Sequence, residues 1–194
     1  LFSGLAPWVG RLPGGLLHVN VVGSTLFAAV SGSSAATTAI VGKVSLPELE
    51  ARGYDRQLAM GSLAGAGTLG FLIPPSIIMI IYGVIAEVSI LELFIAGVIP
   101  GLTLAFLYMS YIALHQTITQ SQPRAEKPTA HALLCGARDI GPVAALIACI
   151  MGALYLGFAS VSELAALGVL GAIVIAALMG RFTLPSMIAA GRRA

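Results

Sequence analysis

Charge is what this chain has least of. Asp, Glu, Lys and Arg together make up 9% of its 194 residues, where a soluble domain carries about 25%. That excludes an ordinary water-facing surface. The charges are also clustered, and no carboxylate falls inside the long apolar stretches, so none contains an acid that could carry a proton. Cysteine is nearly absent. Cys135 and Cys149 lack metal-ligand spacing and read as small buried or interfacial thiols. No grouping of nucleophile, base and metal ligands occurs, which argues against a membrane enzyme. With so few charges, the net +2 is no signal for nucleic acid, and the basic residues serve to orient the chain.

What is abundant is apolar. Hydrophobic residues make up 58% and the mean hydropathy is +0.97. Five stretches contain no Lys, Arg, Asp or Glu: Leu12–Gly42, Gln57–Ala86, Leu93–Leu114, Ile140–Ser162 and Leu164–Gly180. A spanning helix needs about 20 apolar residues, with a range of about 17–25. The pattern predicts an all-α polytopic protein whose solvent is the lipid bilayer.

The centre of the first stretch is the informative part. Ser31-Gly32-Ser33-Ser34 is small, hydroxylic and poor at holding a helix, in a segment otherwise suited to lipid. Irregular backbone at membrane depth is tolerated only where protein buries it or it lines a cavity. All ten Lys and Arg fall on one side only if Leu12–Gly42 enters and returns, which places Arg11, Lys43, Arg52 and Arg56 together on the cytoplasmic side. Each arm then has about 14 residues, or about 21 Å of helix, against a core of about 30 Å. The prediction is a re-entrant helical hairpin opening to the cytoplasm, with its turn at Ser31–Ser34.

The second stretch carries its own break, Thr68-Leu69-Gly70-Phe71-Leu72-Ile73-Pro74-Pro75-Ser76. Two prolines lack donors and clash with the preceding turn, and the residue before each is driven out of the α region. Gly61, Gly65 and Gly67 predict a smooth face for close packing, as do Gly97 and Gly101 in the third stretch. Gln116–Arg138 is the one hydrophilic segment, a loop followed by a short interfacial helix from Pro128. Four segments follow: 1–56, the hairpin and its loop; 57–115, the broken helix and the next span; 116–139, a cytoplasmic linker; and 140–194, two spans and the start of an amphipathic segment at Thr183–Ser186. His18 reads as interfacial and Asn20 as a helix–helix hydrogen bond. Glu87, Glu92 and Glu163 read as solvated charges at outer helix ends.

These motifs resemble the large membrane subunit of tripartite ATP-independent periplasmic (TRAP) transporters. The resemblance rests on Val30–Ser34, Leu46-Pro47 with Arg52–Asp55, Gly70–Ser76, Ile81–Gly83 and Leu93–Gly97 with Pro100-Gly101, in matching order and spacing. It implies half of an inverted-repeat elevator transporter: a sodium-coupled importer of an organic acid, dicarboxylate- or sialic-acid-like, in the bacterial inner membrane. It also implies a periplasmic substrate-binding protein and a small membrane subunit as partners. One hairpin and one broken helix are found, so a partial chain is expected. The family often has an acid where Thr37 stands and Pro where Phe71 stands. Carbonyl-based ion binding survives both departures, and they bear on solute preference instead.

By resemblance, the sodium ligands are backbone carbonyls of Ser31, Ser33, Gly70, Ile73 and Pro75, and no other cofactor is expected. Ser34, Thr37, Thr38, Thr68 and Ser76 are the candidate solute contacts. A hard cation prefers oxygen ligands, and half-helix N-termini near Ser34 and Ser76 suit an anion. For each hydroxyl the competing reading is a bond to its own helix turn. The alternative assignment is another elevator-type symporter, for divalent anions or arsenite. A Ser-Asn-Thr tip would favour the divalent-anion case, and Ser-Gly-Ser does not. A channel would need a continuous polar stripe, and Leu93–Gly180 has none.

Overall fold

The computed structural model describes residues 2–119, 130–158 and 161–178. Every regular element among them is helical: α1 (Phe2–Val9), α2 (Leu17–Ser31), α3 (Ser34–Ala51), α4 (Arg56–Gly67), a 3₁₀ turn (Thr68–Phe71), α5 (Ile77–Ile85), α6 (Ile90–Thr119), α7 (Ala130–Tyr155) and α8 (Val161–Leu178). The chain divides into two compact units, Leu1–Gly141 and Pro142–Ala194.

In the first unit α2 is the axis. It packs against α1, α3, α4 and α6, and Leu17, His18, Val19, Asn20, Val21, Ser24 and Ala28 are buried along it. Large apolar side chains lie outside instead: Ile85 is 77% exposed, Ile99 75% and Phe106 69%. The interior is mainly apolar with a few buried polar side chains, and the bulky apolar residues left outside suit a lipid solvent rather than water. Two described helices are long and apolar enough to cross a membrane, α6 and Leu133–Tyr155 within α7. In the second unit α7 and α8 meet through glycine. A Cβ at Gly168 would lie 3.4 Å from Ile150 Cδ1, and one at Gly171 would collide with Leu146.

Several boundaries differ from those read in the sequence. α3 runs to Ala51, well past Gly42, so most of the anticipated loop after the hairpin is helix. Ser45 and Leu49 are fully buried on that extension, and an Arg52–Glu48 ion pair at 2.6 Å bridges its last turn. These contacts hold the helix through Pro47, which lies inside it. The interfacial helix and the fourth stretch are one continuous helix, α7, with no break near 139. Of the two readings of the cysteines, buried or interfacial, burial is excluded: Cys135 and Cys149 are exposed on α7. His18 is buried at 1% exposure, and its Nε2–H donates to the Pro13 carbonyl at 2.7 Å. The loop at 120–129 and the segment Thr183–Ser186 lie outside the described residues.

Candidate functional site

Two helix breaks from separate parts of the sequence meet in the first unit. α2 stops because Gly32 adopts the left-handed conformation (φ 61°, ψ 8°) and its N–H closes on the Ala28 carbonyl at 2.8 Å, the glycine C-cap that an L-residue fits poorly. Ser33 is extended, and its hydroxyl accepts from the Ala36 N–H at 3.3 Å, capping α3. On the other side, the last turn of α4 tightens into the 3₁₀ turn. Pro74-Pro75 follows with a cis peptide bond, Ser76 is extended, and α5 restarts at Ile77.

The breaks interlock through their backbones. The Ile77 N–H donates to the Gly32 carbonyl at 3.1 Å. A Cβ at Gly32 would sit 2.6 Å from the Pro75 oxygen, and one at Gly70 would sit 2.8 Å from the Ser34 nitrogen. What requires glycine at position 70 is room for the hairpin tip. Behind the break, a Cβ at Gly97 would lie 2.7 Å from the Leu72 oxygen, so α6 presses on the broken segment. Of the three α4 glycines, Gly65 meets the Tyr108 ring and Gly67 the Thr38 hydroxyl. Gly61 has nothing within 4 Å and lies open.

All ten residues singled out from the sequence lie on or beside this junction: Ser31, Ser33, Ser34, Thr37 and Thr38 on the hairpin; Thr68, Gly70, Ile73, Pro75 and Ser76 at the break. They are not equivalent. Thr37 Oγ1 donates to the Ser33 carbonyl at 2.7 Å and lies 3.0 Å from Ser31 Oγ. Thr38 Oγ1 donates to the Ser34 carbonyl at 2.9 Å, and Thr68 Oγ1 to the Gly65 carbonyl at 2.7 Å. Each threonine therefore spends its proton on its own helix turn. The Ser33 carbonyl also accepts from the Thr37 N–H at 2.9 Å, so both its lone-pair directions are engaged. It is a poorer ion ligand than the other candidates.

Ser76 is the exception. It is fully buried, its hydroxyl does not cap α5, and Oγ has no hydrogen-bond partner among the described residues. An unsatisfied buried hydroxyl costs about 1–3 kcal/mol. The junction thus combines carbonyl-bearing helix ends, N–H-bearing helix starts and, in Ser76, a fully buried hydroxyl without a partner among the described residues. Among the described residues no group of three or more His, Cys, Asp or Glu is placed to hold a metal. A cation held here would be met by carbonyl and hydroxyl oxygens.

Asn20 ties α2 to α4, donating to Ser62 Oγ at 2.8 Å and to the Ala59 carbonyl at 3.3 Å. Two tyrosines add contacts: Tyr54, which the sequence offered only as part of the Arg52–Asp55 motif, and Tyr108, which it did not mark. Tyr54 accepts from the Leu16 N–H at 3.0 Å, which ties the start of α2 to the loop before α4. Tyr108, on α6, lies 3.1 Å from Thr68 Oγ1. It also lines a groove of about 1000 Å³ between α4 and α6, with Ser62, Gly65, Tyr111 and His115. No local pattern gives the role of either tyrosine, because the partners lie 38 and 40 residues away.

The model of the tripartite ATP-independent periplasmic transporter DctM component matches residues 1–192. The C4-dicarboxylate TRAP transporter large permease DctM of Pseudomonas aeruginosa is 39% identical over 158 residues, covering 81% of this chain and 37% of that protein. The ectoine/5-hydroxyectoine TRAP transporter large permease UehC of Ruegeria pomeroyi is 36% identical over 183 residues, covering 93% of this chain and 42% of that protein. The sialic acid TRAP transporter permease SiaT of Haemophilus influenzae is 43% identical over 113 residues, 57% of this chain and 18% of that protein. The chain therefore spans 37% to 42% of the length of the two large-permease relatives. Helical in every described element, with two helix breaks that meet, and matched over residues 1–192, the chain belongs to the DctM family of TRAP transporter large permeases.

Proposed function

We propose that this chain forms one half of the transport site of a sodium-coupled importer of an organic acid. In this reading it lies in the bacterial inner membrane as part of a multi-pass permease, and α2–α3 is a re-entrant hairpin that moves with α4 and α5 as an elevator. Sodium is held by the carbonyls of Ser31, Gly70, Ile73 and Pro75, with Ser33 contributing less. The anionic solute meets the helix starts at Ser34 and Ser76. A periplasmic binding protein delivers the solute, and a small membrane subunit braces the scaffold. Among the relatives, one is named as a permease for isethionate and others for dicarboxylate, sialic acid and ectoine. The class proposed here is therefore an organic acid, with no single solute chosen.

The observation that carries this reading is the interlock of the two breaks around the uncommitted Ser76 hydroxyl. Of the three buried serine hydroxyls without a partner among the described residues, Ser24, Ser45 and Ser76, only Ser76 lies at the junction, where a solute contact would complete it. The test is uptake into proteoliposomes by the full-length permease with its small subunit and binding protein. Uptake of a labelled organic acid should require an inward sodium gradient and vanish when potassium replaces sodium. Equal uptake with either cation would refute the coupling.

A further inference from the structure

The 3₁₀ turn Thr68–Phe71 carries Gly70, one of the proposed sodium ligands. Short 3₁₀ segments have poor hydrogen-bond geometry and hold their shape only with outside support. On one side that support is the hairpin tip against Gly70. On the other side it comes from α6. The Tyr108 ring lies over Gly65, where a Cβ would approach Cε1 at 3.3 Å and Cζ at 3.4 Å, so only glycine lets the ring settle there without displacement. The tyrosine hydroxyl ends 3.1 Å from Thr68 Oγ1. Thr68 has one proton, and the Gly65 carbonyl takes it at 2.7 Å, because a carbonyl can only accept. The Tyr108 hydroxyl must then donate to Thr68. The result is a relay of donors from α6 through Thr68 into the last turn of α4, each bond polarising the next.

We propose that Tyr108 is a positioning residue for the ion site, fixing the 3₁₀ turn so that the Gly70 carbonyl points at the cation. This inference rests on the sodium-coupled reading above. It assigns Tyr108 no contact with ion or solute; it acts through Thr68.

The sodium activation of uptake by the full-length transporter in proteoliposomes tests it. Tyr108→Phe keeps the ring on Gly65 and deletes only the donor. It should raise the half-activating sodium concentration about two- to tenfold, the equivalent of one neutral hydrogen bond, with the maximal rate and melting temperature unchanged. Thr68→Val should raise it as well, and the double variant should go no further than the larger single effect. Tyr111→Phe, in the same groove, should match wild type. If Tyr108→Phe does not insert, the comparison of Thr68→Val with wild type decides alone. An unchanged half-activating concentration overturns the inference, as does a loss confined to maximal rate or stability, or additivity in the double variant. A wild-type protein that ignores sodium overturns the coupling reading along with it, which separates the two failures.

Discussion

Ser76 and Ser33 look alike in the sequence, both serines beside a helix break, yet the structure gives them opposite roles. Ser33 caps α3 with its hydroxyl and has a carbonyl already engaged by Thr37. Ser76 is buried with nothing to bond. Ser76→Ala should therefore leave the melting temperature of the full-length permease unchanged or slightly raised, because it removes an unsatisfied polar atom. If the hydroxyl contacts the solute, the same variant should raise the half-saturating solute concentration about tenfold, the weight of a hydrogen bond to a charged group. Uptake kinetics and a thermal scan on one preparation separate the two effects. Unaltered kinetics would remove Ser76 from the site. The residue types were legible in the sequence, since Gly, Pro and Ser mark breaks through local chemistry. Which hydroxyl is free was not, because that depends on helix turns and on partners such as Tyr108, 40 residues from Thr68.

Breaks were easier to read than helix ends. The stop at Ser31, the restart at Ser34, and the interruption between Gly67 and Ile77 all lie where glycine and proline chemistry places them. The extension of α3 to Ala51 and the unbroken run of α7 through 139 do not. Charge was used there to mark helix ends, but polar residues continue a helix readily when one face remains packed, as Ser45 and Leu49 show on α3. Charge still carries the orientation argument. If α2 and α3 enter and return, cysteines placed at Arg11 and Arg56 should both resist a membrane-impermeant reagent added from the periplasm, while one at Ser89 should react. Periplasmic labelling at position 56 would mean that the hairpin crosses, and the re-entrant proposal would be wrong.

At the scale of the whole chain, the class was legible because composition alone departs so far from a soluble domain. The structure adds that many bulky apolar side chains lie on the outside, around an interior that is mainly apolar with a few buried polar groups. It also shows that two sequence-distant breaks share one junction, which no linear pattern could establish. The spacing between Gly32 and Gly70 says nothing of their approach; the space their missing Cβ atoms leave does. The central claim is that this junction binds sodium chiefly through backbone carbonyls. Its most direct test is the sodium activation curve of uptake by the full-length transporter in proteoliposomes, comparing Gly70→Val with Ser33→Ala. A side chain at Gly70 drives against the Ser34 backbone, and overpacking of about 1–3 kcal/mol should raise the half-activating sodium concentration about tenfold. Ser33→Ala keeps its carbonyl and loses a cap worth about 1 kcal/mol, so it should move the curve by no more than about fivefold. An unchanged curve for Gly70→Val, together with abolished sodium dependence for Ser33→Ala, would contradict the carbonyl account and put a hydroxyl ligand in its place.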